Sequence, residues 1–204
     1  MTNQTPEVVL LAGEEWKAAM VPKLLDSTEI LKWGELHVEK ITESINDKGT
    51  FVPGLVILGS PPDAKGMTVQ LALPILKYIA PKRPEDAPTM AGELTRIVVT
   101  TLLEAEGYAV MVALPAFVPE NAEAAKNLGP GGAYEDDDEI VEALVVTVET
   151  MEGMVSMRMF VIDRDEDTNQ ASISVELEMN DFQKKLFPRF LETAVQYAKE
   201  QATK

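Results

Sequence analysis

The chain has 204 residues, 46% of them apolar and 25% charged, a balance that predicts a folded globular protein rather than a disordered one. It holds 18 Lys and Arg against 34 Asp and Glu, a net charge of −16, which argues against direct binding to nucleic acid or to an anionic membrane. There is no cysteine, so disulfides, thiolate chemistry and cysteine zinc sites are excluded.

The N-terminal stretch has no basic leader, and its apolar run Val8 to Ala12 is too short for a signal sequence or a membrane span. The expectation is a soluble cytoplasmic protein. Trp16, Ala19, Met20, Leu24, Leu25, Ile30 and Leu31 recur at helical spacing, with a break at Pro22. Asp26 and Ser27 ahead of Glu29 mark a new helix start, and Gly34 reads as an interruption before 36–45. Helix is the preferred reading of 36–45. The turn chemistry of Asn46 to Gly49 keeps open a hairpin of 36–45 with 50–58.

Residues 51–59, FVPGLVILG, read as a buried strand and GSPPDAKG as a loop. Met67 to Ala80 is predicted helical despite Pro74, followed by a proline-punctuated connection. A helix is expected over 90–106, although the β-branched residues between Ile97 and Thr101 are poor helix formers, and a strand over 108–114. Residues 115–139, rich in Pro and Gly, read as flexible and as the place for any subdomain boundary.

Three strand-like runs close the pattern, 141–150, 154–163 and 171–179, separated by turn residues as in an antiparallel meander. In the third, Ile173, Val175, Leu177 and Met179 alternate with Ser172, Ser174, Glu176 and Glu178, predicting one buried and one wet, negative face. An amphipathic helix is expected from Asn180 or Asp181, with Phe182, Leu186, Phe190 and Tyr197 on one side. The whole reads as a single α+β domain over 1–204. Its N-terminal two-thirds are helical with one or two strands, and a C-terminal three-stranded antiparallel meander precedes an amphipathic helix.

The charge is uneven. Residues 135–181 hold 15 acids against Arg158 and Arg164, and so carry −13 of the total −16. Within them Asp163, Asp165, Asp167 and Asn169 alternate like the opening of a calcium loop. Thr168 stands where the loop needs glycine, and Ser174 where it needs a bidentate glutamate. These three aspartates are the candidate metal ligands, against a plain solvated turn. VILGSPPDAKGMT lacks the spacing of a phosphate-binding loop, because Lys65 precedes Gly66 and two prolines remove donor amides. His37, the single histidine, has no nucleophile elbow to serve and reads as structural. Trp16 and Trp33 read as core anchors.

Met154, Met157 and Met159 on the meander, with Phe182 and Phe190 on the last helix, are the candidate partner-binding residues, since methionine gives adaptable apolar surfaces as well as core filling. No cofactor is implied, and catalytic machinery is not evident. Strands followed by an amphipathic helix in an acidic chain are similar in architecture to the small acidic chaperones of type III secretion, over about the last 65 residues and with no shared motif. The leading expectation is a regulatory or chaperone-like module that binds a protein partner, a basic one if charge decides. A nucleic-acid-mimicking inhibitor and a carboxylate-dependent metal enzyme are the alternatives, and homo-oligomerisation is compatible with either of the binding roles.

Overall fold

A computed structural model describes residues 17–76, 87–119, 140–151, 153–165, 167–168, 170–177 and 190–202. The first helix, α1 (Ser27–Lys48), begins where the sequence supplies a reciprocal cap. The Asp26 carboxylate accepts the Glu29 N–H at 2.9 Å, and the Glu29 carboxylate accepts the Asp26 N–H at 3.2 Å. It ends at Gly49, whose left-handed φ of 68° lets its N–H reach the Ile45 carbonyl at 2.7 Å. Residues 36–45 are thus helix, and Gly34 does not interrupt it. Gly34 is buried where the helix crosses the sheet, and a Cβ there would stand 2.8 Å from the Val148 side chain.

The expectation of a helical N-terminal two-thirds is overturned. The described part of that region holds four strands, β1 (Lys17–Val21), β2 (Gly54–Gly59), β3 (Thr68–Pro74) and β4 (Gly107–Pro119). Its helices are α1, α2 (Ala87–Glu104) and one 3₁₀ turn at Pro62–Ala64. With β5 (Ile140–Thr150), β6 (Gly153–Arg164) and β7 (Ala171–Leu177) the strands form one antiparallel sheet in the order β1-β3-β2-β4-β5-β6-β7. A third helix, α3 (Phe190–Ala202), follows.

Each misread element has a physical reason. β1 covers five residues, too short a window for a period of 3.6 to be told from one of 2. In β3, expected as helix, Val69, Leu71 and Leu73 point to one face and Gln70 and Ala72 to the other. The strand is hydrogen-bonded on both sides, to β1 and β2, so it is apolar enough to look helical. β4 runs on through Pro115 into the stretch expected to be flexible. β2 pairs only as far as Ala113, so beyond it β4 has β5 as its one strand neighbour among the described residues, and a proline there breaks no ladder on the other side. The three meander strands are present as β5 to β7, but as part of the seven-stranded sheet rather than a separate unit.

The strand order also decides where the helices go. β1 and β2 are parallel to each other across β3, and β3 and β4 are parallel across β2. Both crossovers step the same way along the sheet but start from strands of opposite direction. Two crossovers of one hand must then put their helices on opposite faces. They do. Ile30, Trp33, Val38 and Ile45 of α1 pack with Leu58, Met111, Val146, Val148, Phe160 and Ile162. Leu94, Val98, Val99 and Leu102 of α2 pack on the other face with Leu55, Ile57, Leu71, Leu73, Val110 and Val112, joined by Phe190 and Leu191 of α3. Among the described residues no helix is long and apolar enough to cross a membrane.

Candidate functional site

The described part of the acidic stretch lies on β5, β6, β7 and the turn joining the last two. Arg158 and Glu176 sit on neighbouring strands on the α1 face. Nε and Nη2 of Arg158 donate to the two carboxylate oxygens of Glu176 at 2.7 and 2.6 Å, and its guanidinium lies 4.9 Å from the centroid of the Phe160 ring. Arg164 makes the same two-toothed pair with Glu142, at 2.5 and 2.7 Å. The hydrogen bonds from Arg158 hold the Glu176 carboxyl below its ordinary range, and those from Glu176 and Glu142 raise the two guanidinium groups further. Both bases of the acidic stretch are therefore engaged inside the sheet.

Asp163, Asp165 and Asp167 lie exposed at the end of β6 and in the following turn. Asp165 is turned inward on its own backbone: one carboxylate oxygen accepts the Thr168 N–H at 2.8 Å, the Thr168 hydroxyl at 2.7 Å and the Asp167 N–H at 3.2 Å. Those bonds, the hydroxyl's first, lower its pKa. The Asp165 N–H donates to the Gln170 carbonyl at 3.0 Å and closes the hairpin. The alternation read as a calcium loop thus makes a turn whose central acid is engaged by the chain itself. Among the described residues no three His, Cys, Asp or Glu side chains converge on a point where a cation could sit. Asp163 and Asp167 pair with no Lys or Arg among the described residues, and face solvent.

The wet, negative face expected for 171–179 is corrected by a register shift between Phe160 and Ile162 opposite β7. Ile173 packs on the α1-face core, but past the shift Val175 is 53% exposed and Glu176 turns to Arg158. One extra residue in a strand reverses its facing from that point on. The edge of β7 is also partly closed, because the Ile173 N–H donates to the Asn46 side chain of α1 at 2.9 Å.

No family model, curated protein or solved structure matches the chain. Its residues have to speak for themselves. Met159 is 1% exposed beside Val118, Ala143 and Val145, with Met157 half-buried against them. Phe190 is 6% exposed in the core under α2. Burial makes Met159 and Phe190 core residues, which takes them off a partner surface. Met154 is the second residue of β6, and only its backbone is described; Phe182 lies outside the described residues, as do Trp16, Glu135 to Glu139 and the expected helix start at 180 or 181.

His37 is half-buried on α1. Its Nδ1–H donates to the Trp33 carbonyl at 2.9 Å, the two rings lie 4.7 Å apart, and burial lowers its pKa. Trp33 is a core anchor whose indole N–H reaches the Gln70 side chain at 3.3 Å. Two polar groups went unnoticed in the sequence. Tyr108 and Thr68 meet through their hydroxyls at 2.6 Å, and Glu149, 7% exposed, binds the first turn of α3. Neither belongs to a motif. The one signal for Glu149 was an acid on the core-facing side of a β-branched strand.

Proposed function

We propose that this chain is an acidic protein-binding module, regulatory or chaperone-like, that recognises a basic region of its partner. The observation that carries the reading is the distribution of charge. Residues 135–181 hold 15 acids and two bases, and both bases are engaged by Glu142 and Glu176 within the sheet. What remains for an incoming molecule at the β6–β7 turn is negative, with Asp163 and Asp167 facing solvent. A surface of one sign steers and selects a partner of the other.

The mimicry alternative is less well supported, since a phosphate-like array needs carboxylates free on one surface. Glu149 is buried, and Glu142 and Glu176 are neutralised by arginine. The test is capture from the native host at low salt, followed by titration of the purified partner across ionic strength. The comparison is a variant carrying Asp163→Asn, Asp165→Asn and Asp167→Asn. The reading expects affinity that falls steeply with salt and falls again in the variant. A partner held equally well at high salt and by the variant would overturn it.

A further inference from the structure

β7 is the last strand in the sheet order, with β6 on one side of it and no strand on the other among the described residues. Helix α1 comes down on that outer side. The Ile173 N–H turns away from β6 and donates to the Asn46 side chain at 2.9 Å. Where α1 ends, Gly49 passes so near the start of β7 that a Cβ would stand 3.3 Å from the Ala171 nitrogen. A second outward donor follows from the register. Ile173 pairs with Ile162 and Glu176 with Phe160, two positions apart on β6, and an antiparallel ladder repeats every two residues. The Glu176 N–H therefore also faces away from β6, and Ser174, Val175 and Glu176 are exposed.

A row of outward N–H and C=O groups at the end of a sheet is a template for another strand, and folded chains blunt it. Asn46 does so at Ile173 by placing an amide oxygen where the carbonyl of an added strand would sit. The strand that fits the two outward positions is β7 of a second copy of this chain. Laid antiparallel about the Ser174–Val175 peptide, the two copies set Ile173 opposite Glu176 at both ends of the seam and Ser174 opposite Val175 between them. No carboxylate then faces another across the seam, and each Glu176 keeps its Arg158. We propose that Asn46 is an edge guard, whose removal lets two chains join β7 to β7 in a two-fold dimer.

Sedimentation velocity of Asn46→Ala against the unaltered chain tests this, in about 200 mM salt so that repulsion between two acidic chains is screened. Asn46 is exposed near a helix end and alanine is the better helix former, so the variant keeps the fold. It should self-associate about tenfold more tightly than the unaltered chain, its mass rising from one chain towards two with concentration. Adding Val175→Glu, which sets like charges along the seam, should return it to one chain. A variant that stays monomeric at every concentration would overturn the guard, as would a dimer that survives Val175→Glu. Amide exchange on the unaltered chain needs no variant. There Ile173 should be protected even at low concentration, and an Ile173 amide that exchanges as fast as an open one would overturn the proposal too.

Discussion

Thr68 is fully buried, with its hydroxyl oxygen 2.6 Å from both the Lys23 carbonyl and the Tyr108 hydroxyl. A carbonyl cannot donate, so Thr68 gives its proton to Lys23 and Tyr108 gives its own to Thr68. The Leu25 N–H in turn points at the Tyr108 oxygen from 3.4 Å, which ties the β1–α1 connection to the sheet. Tyr108→Phe should therefore cost about 1 kcal/mol, read as a lower urea midpoint with unchanged slope. His37 makes a separate statement about pH. Burial lowers its folded pKa, so the folded state prefers the neutral ring. That preference contributes its full stability above the unfolded value of about 6.5 and is lost as pH falls from there through the folded value. Denaturation midpoints measured across that window should decline with acidity, and His37→Gln should flatten the decline.

Elements meet at two kinds of junction here, backbone against backbone and charge against charge. At Gly59 a Cβ would lie 2.3 Å from the carbonyl oxygen of Ala105, where β2 passes the end of α2. Backbone cannot swing aside as a side chain can, so Gly59→Ala should destabilise by about 1–3 kcal/mol or more. Gly92, inside α2, has nothing within 4 Å of its would-be Cβ, and Gly92→Ala should stabilise by about 0.5–1 kcal/mol in the same assay. The pairs Arg158–Glu176 and Arg164–Glu142 fasten β5, β6 and β7 across the α1 face. They are partly exposed, so a double-mutant cycle on either should return a coupling of about 1 kcal/mol or less. Because the folded pKa of Glu176 is depressed, its share is present above the unfolded value of about 4.3 and disappears as pH drops below it.

At the scale of the molecule, a charge of −16 repels itself in any compact state. Raising salt from about 10 mM to about 200 mM shortens the screening length severalfold, and the melting temperature should rise over that range. The same salt should weaken the proposed basic partner. The two opposite responses, one read by calorimetry of the chain alone and one by titration, separate self-repulsion from recognition.

Local chemistry was enough to mark the start of α1 at the Asp26 cap. Gly34 read as a break, however, and Asn46 to Gly49 left a hairpin open; that one helix runs from Ser27 to Lys48 and ends on a left-handed Gly49 was decided by packing on the sheet. The turns of the meander were legible because Gly153 and the Asp165 turn act on their own backbone. β1 and β3 were not, because a short or doubly paired strand is defined by neighbours that the local pattern does not contain. The charge of the acidic stretch was readable, but its division among arginine partners, a buried helix cap and open solvent was not. That division depends on strand register and on two bulges, which set facing one residue at a time, and on the meeting of groups 18, 22 and 42 positions apart. Sequence alone determined composition, charge, caps and turns, because these act over short range; the single seven-stranded sheet, the opposite faces of α1 and α2 and the work of each carboxylate were decided by tertiary contacts.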